Sequence, residues 1–135
     1  MKTRKIIHFT AVIIMAALLA VSASGCSRAA DVTVTEADND SQIEVKVGST
    51  IDVTLPSSPT TGFNWEVQDL DANLFSQVGE GVFKPESDLL GASGMLTLSF
   101  KALAAGEGSL KLIYHRSFEK DIPPEKTFSI DVTIK

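Results

Sequence analysis

From Thr127 to Ile134 the chain alternates polar and apolar residues without a break: Thr-Phe-Ser-Ile-Asp-Val-Thr-Ile. A period of two is that of a strand with one face buried. The same period runs through Ile43–Val47 and Ile51–Leu55. It recurs in Gly62–Val67, Met95–Leu103 and Ser109–Tyr114. Phe75–Phe83 reads as a further strand element, weakened by Gly79 and Gly81. No stretch of the region from residue 42 onwards sustains a 3.6-residue period, and Leu70–Leu74 is at most a short helical turn. About seven short strands divided by turn residues predict an all-β fold, a sandwich of antiparallel strands. Trp65, alone of its kind in the chain, falls in a mid-chain strand. That placement resembles the core tryptophan of immunoglobulin-like domains. Here no disulfide accompanies it, because the chain has one cysteine.

That cysteine, Cys26, ends a leader. Lys2, Arg4 and Lys5 make a basic start, Ala11–Val21 is uncharged and apolar, and Ser22-Ala23-Ser24-Gly25 is small. The apolar run is short for a membrane span. The whole reads as an export signal over residues 1–25. Its end resembles the lipobox of prokaryotic lipoproteins, with Ala23 where Leu is more usual. The resemblance implies lipidation of Cys26 and anchoring on the extracytoplasmic face of a prokaryotic membrane. Residues 26–41, rich in Ala, Asp, Asn and Ser, read as a flexible tether, with Val32-Thr33-Val34 as a candidate edge strand. Residues 42–135 form the domain. Loss of the leader leaves 9 of the 12 Lys and Arg against 17 Asp and Glu, a net charge of −8. Such an acidic domain is unsuited to nucleic acid, whose phosphates call for basic contacts.

Three long loops interrupt the strands. The first, Pro56–Thr61, is stiffened by Pro56 and Pro59, and Gly62 is free to take a positive φ on leaving it. The second is Lys84–Gly94 and the third Arg116–Lys126. They follow the second, fourth and sixth of seven strands. In a sandwich such loops emerge at one end and make a single surface.

The residues in these loops carry a resemblance to a known family, the chagasin-type inhibitors of papain-like cysteine peptidases. The family's Asn-Pro-Thr-Thr-Gly corresponds to Ser58-Pro59-Thr60-Thr61-Gly62, with Phe63-Asn64-Trp65 after it. Its Gly-x-Gly-Gly corresponds to Gly91-Ala92-Ser93-Gly94. Its Arg-Pro-Trp/Phe corresponds to Arg116-Ser117-Phe118. The match covers about Val32 to Lys135, in order and spacing. Ser58, Ser93 and Ser117 depart from the family's Asn, Gly and Pro. Ser117 is expected to loosen the third loop, and Ser93 to be strained if φ is positive there. The resemblance implies a three-loop tripod over the peptidase cleft. Thr60 and Thr61 would lie at the catalytic centre, Gly91–Gly94 would bring backbone close to the substrate groove, and Phe118 would be an apolar anchor with Arg116 as a positioning or cation–π group. It implies a papain-like peptidase as partner and a monomeric inhibitor.

Composition speaks against an enzyme. His115 is the one histidine after the leader, a lipidated Cys26 would be unavailable as a nucleophile, and no metal-ligand spacing occurs. No cofactor and no metal site are expected. The alternative reading is a lipid-anchored sandwich that binds another surface protein or a carbohydrate.

Overall fold

The structure, a computed structural model, describes residues 31–135; the leader and Cys26 lie outside the described residues. Nine strands form two facing sheets. They are β1 (Val32–Thr35), β2 (Ser41–Val45), β3 (Thr50–Ser57), β4 (Asn64–Asp69), β5 (Phe75–Gln77), β6 (Val82–Pro85), β7 (Gly94–Ala102), β8 (Gly106–His115) and β9 (Lys126–Ile134). One sheet is ordered β1-β3-β7, and β5 and β6 succeed one another along the free edge of β7; the other is β2-β9-β8-β4.

The alternating sequence pattern explains the layers. On β3, Ile51, Val53 and Leu55 point inwards and are almost fully buried, and the polar residues between them face out. Leu98, Phe100 and Ala102 of β7 complete that inner face. Opposite them lie Leu110, Leu112 and Tyr114 of β8 and Phe128, Ile130, Val132 and Ile134 of β9. Each side chain removed from water in this way contributes roughly 1.5–3 kcal/mol. With no disulfide available, this core carries the fold. It is an immunoglobulin-like sandwich.

Two features differ from the sequence expectation of about seven antiparallel strands. There are nine, because Phe75–Phe83 divides at Gly79 into β5 and β6 and because Val32–Thr35 is a true strand. Two pairings are also parallel, β1 with β3 and β2 with β9. A 3-10 turn at Glu36–Asp38 carries the chain from one sheet to the other, so β1 and β2 belong to different layers. Alternation reveals that a strand exists and which face it buries, but not the direction of its partner. Val34 is 2% exposed and packs in the core. Among the described residues, β1 thus adds core-forming strand within residues 26–41, at the place of the candidate edge strand.

The ladder registers fix the two poles. β3 climbs to the first loop, β6 to the second and β8 to the third. The β2–β3 turn, the β7–β8 turn and Lys135 meet at the other pole, where the Val47 amide donates to the Lys135 carbonyl and the Gly48 amide to that of Ala102.

Candidate functional site

The first loop is a compact knot. Pro59–Thr61 is one 3-10 turn with Pro59 at its first position, where the missing N–H costs nothing. The Thr61 amide donates to the Ser58 carbonyl and the Gly62 amide to that of Pro59, both at 3.0 Å. The Thr61 hydroxyl donates to the same Ser58 carbonyl at 2.6 Å. Gly62 closes the turn at φ 83°, and a Cβ there would press on the Phe118 ring. A side chain is thus disfavoured twice at this position, by backbone conformation and by contact. Thr60 is exposed at the crest.

An aromatic stack seats this loop on the sandwich. The Phe63 and Tyr114 rings stack with centroids 5.3 Å apart, and Trp65 leans on Tyr114 at 5.0 Å. The Trp65 Nε1–H donates to the Pro56 carbonyl at 2.9 Å, and the Ser58 amide donates to the Tyr114 hydroxyl at 3.0 Å. Pro56 itself lies within β3, opposite Met95. Its carbonyl is turned away from β7 towards Trp65, so the donor that proline lacks is not one the ladder needs.

The second loop spans the β6–β7 hairpin, closed by the Glu86 amide donating to the Ser93 carbonyl. Gly91 has φ 79°, and a Cβ on Gly94 would collide with the Lys84 carbonyl. Those two glycines are structural requirements. Ser93 is not: among the described residues only Asp40 and Asp121 combine a side chain with positive φ, so the expected strain is absent. In the third loop, Arg116 donates from Nε to the Thr61 carbonyl at 3.1 Å and pairs with Glu119 at 3.0 Å. Its guanidinium carbon lies 4.3 Å from the Phe63 ring centroid. Arg116 is therefore a strut between the first and third loops. Phe118 is 72% exposed and stands clear of the core.

The three loops meet at one pole as expected, although they follow β3, β6 and β8. Each serine departure is hydrogen-bonded there. Ser58 and Ser93 share a bond of 2.7 Å between their hydroxyls, joining the first loop to the second. A longer contact of 3.5 Å runs from the Thr60 hydroxyl to the Gly91 carbonyl. Ser117 donates to Glu66 on β4, and His115 pairs with the other oxygen of the same carboxylate at 2.8 Å. The Ser117 hydroxyl, followed by His115, holds the Glu66 carboxyl below its ordinary value of 4.5, against the opposing effect of burial. The order matters chemically. The carboxylate sits between Ser and His, so His115 does not touch the hydroxyl and cannot activate it as a nucleophile.

Sequence reading missed Tyr114 and Glu66 as loop supports, and it missed Leu89 and Leu90. These two leucines stand at the second loop's tip, Leu89 77% exposed and Leu90 completely so. A Leu-Leu pair in an otherwise polar loop was the available signal. With Pro59, Thr60 and Phe83 they border an open groove between the first two loops. Among the described residues no group of three or more His, Cys, Asp or Glu could hold a metal ion.

A sandwich whose one pole gathers three braced loops, with uncovered apolar side chains around a hydroxyl-bearing crest, defines a protein that docks on another protein by its loop end. The chain belongs to the Chagasin family peptidase inhibitor I42, whose profile matches residues 44–132. It is 32% identical to chagasin of Trypanosoma cruzi in an alignment 102 residues long that covers 72% of this chain and 92% of that one. The fold matches the crystal structure of the cysteine protease inhibitor EhICP2 from Entamoeba histolytica, with TM-score 0.70 and 24% identity over 78% of this chain and 96% of that one. It also matches PbICP-C in its complex with falcipain-2, with TM-score 0.51 and 17% identity over 80% and 92% of the two chains. The family consists of peptidase inhibitors, not enzymes.

Two expectations follow from the braces. Ser58→Ala and Ser93→Ala each remove the same bond between loops. Each should weaken docking on papain by a few-fold, and the double variant should be no weaker than either single one, since a net hydrogen bond is worth about 1 kcal/mol. Additive losses in the inhibition constants would show that the two hydroxyls act separately. The second expectation concerns pH. A depressed carboxyl pKa adds stability that is complete above 4.5 and fades as pH falls through the folded-state value. A carbon NMR titration should place the Glu66 midpoint below 4.5, and Ser117→Ala should move it upwards. No movement would remove Ser117 as the main cause.

Proposed function

We propose that this chain is a reversible, competitive inhibitor of papain-like cysteine peptidases that covers the active-site cleft with its three loops. The observation that carries this is the bonding of the three motif-bearing loops to one another at a single pole. Thr60 and Thr61 form the crest that enters the cleft over the catalytic cysteine, with Ser58, Pro59 and Gly62 holding the turn. The segment Gly91-Ala92-Ser93-Gly94 lays backbone along one rim. Phe118 anchors the other rim, with Arg116 and Ser117 fixing its loop. Leu89 and Leu90 extend the apolar contact. No group at the pole is an electrophile, so inhibition proceeds by occlusion alone. The carbohydrate-binding alternative lacks support, because Phe118 is the one large aromatic exposed among the described residues.

We also propose that the protein is exported and lipidated at Cys26. The support is the leader sequence alone: basic start, apolar run and small residues directly before a lone cysteine.

Titration of papain with the soluble domain should give active-site-competitive inhibition without cleavage of the first loop. Phe118→Ala should weaken it by about 2 kcal/mol, roughly thirtyfold, as an interface anchor does. A folded domain that leaves papain uninhibited at micromolar concentration would sink the inhibitor reading. For the anchor, a bacterial host expressing the full chain and fed labelled palmitate should label the protein, and Cys26→Ser should abolish the label. Equal labelling of both would exclude Cys26 as the attachment point.

A further inference from the structure

The first described strand enters the sandwich from a definite side. β1 runs parallel to β3, with Val32 opposite Ile51 and Thr35 opposite Thr54. β3 then continues to Ser57 and delivers the first loop. Val32 therefore sits near the pole away from the loops, six residues of β3 below Ser57. At about 3.3 Å per residue that is a separation of roughly 20 Å, before the height of the loops is added. Lys135 and the turns holding Val47 and Leu103 share the pole near Val32.

From these positions we infer that the inhibitor, when held through Cys26, stands with its loop pole away from the bilayer and captures soluble peptidases that arrive from the aqueous phase. This rests on the lipid-anchor reading and adds its orientation and kind of partner. Chain length enforces the orientation. Six residue steps separate Cys26 from Val32, so even a fully extended link reaches at most about 20 Å. To turn the loops onto the lipid surface, that link would have to run the whole height of β3 and still clear the loops. It is too short to do so with a peptidase bound. Charge acts in the same sense. From Cys26 onwards the chain carries −8, which disfavours laying its flank on an anionic lipid surface. The two attachments thus occupy opposite poles and do not compete. A peptidase held close to the same membrane cannot reach the loops, whereas a diffusing one meets them directly.

The single thiol makes a direct test possible, and the chain from Cys26 contains every described residue of the fold. That chain is coupled through Cys26 to maleimide-headgroup lipid in phosphatidylcholine vesicles. Papain should be inhibited within about threefold of the uncoupled protein. Coupling instead through the loop pole, in the double variant Cys26→Ser and Lys120→Cys, should abolish inhibition. Loss of inhibition on Cys26 coupling, or its survival on Lys120→Cys coupling, overturns the proposal. Orientation is also read without any peptidase. A dye introduced through a clickable amino acid at position 120 should transfer less energy to acceptor lipids than one at position 47. Equal or reversed transfer overturns the proposal. Failure of the uncoupled protein to inhibit papain counts against the inhibitor reading and leaves the dye comparison to decide the orientation.

Discussion

The loop pole depends on Tyr114. This residue belongs to β8, in the middle of one sheet, yet its hydroxyl takes the Ser58 amide proton of a loop born on the other sheet. Its ring lies between Phe63 and Trp65, which are the first residues after that loop. Trp65 in turn bonds the Pro56 carbonyl, near the end of β3. Both ends of the first loop are thereby fastened to one aromatic column. Stacked pairs of this kind are worth about 0.5–1.5 kcal/mol each beyond their burial. The effect here is mainly geometric: two sheets packed face to face through an apolar core are registered at the end where register matters. The other loops lean on the first, Arg116 through the Thr61 carbonyl and Ser93 through Ser58.

This arrangement changes what the serine departures mean. A proline or glycine in a binding loop acts by limiting or permitting backbone conformations. A serine does neither, but its hydroxyl can bond a neighbour. Ser58 and Ser93 join the first and second loops through their hydroxyls, and Ser117, where the family has proline, ties the third loop to Glu66 on β4. Such bonds are individually weak at exposed sites, and their strength depends on both partners being present. Rigidity of the pole is then a property of the set of loops and not of any one motif.

Much of this was legible in the chain. Period two gave the strands and their inner faces, and Gly and Pro marked the loops, since burial on one face imposes that pattern directly. The convergence of the three loops followed from topology even though the strand count was short by two, because adding β1 and splitting β5 from β6 left the direction of each loop-bearing strand unchanged. The parallel pairings of β1 with β3 and of β2 with β9 were not legible: they arise from a three-residue turn that moves the chain between layers. Nor was the Thr61 carbonyl as the partner of Arg116, or the Ser58–Ser93 bond. These join residues far apart in sequence, and no local pattern encodes a contact between two loop tips.

The internal bonding of the first loop bears on why a peptidase would be blocked by it and not cut it. Peptidase clefts hold substrates as extended chain, with backbone amides and carbonyls facing the cleft walls. Here the Thr61 and Gly62 amides are turned inward to close a 3-10 turn, and the Ser58 carbonyl accepts both an amide and a hydroxyl. Pro59 offers no amide and holds φ near −65°. Opening the turn into extended chain would break these bonds and also pull Ser58 from Tyr114 and Gly62 from beneath Phe118. The cost falls on the very contacts that hold the other two loops in place. A cleft that straightened the first loop would therefore dismantle the surface it binds, whereas a cleft that accepts the turn as it stands keeps the whole pole intact.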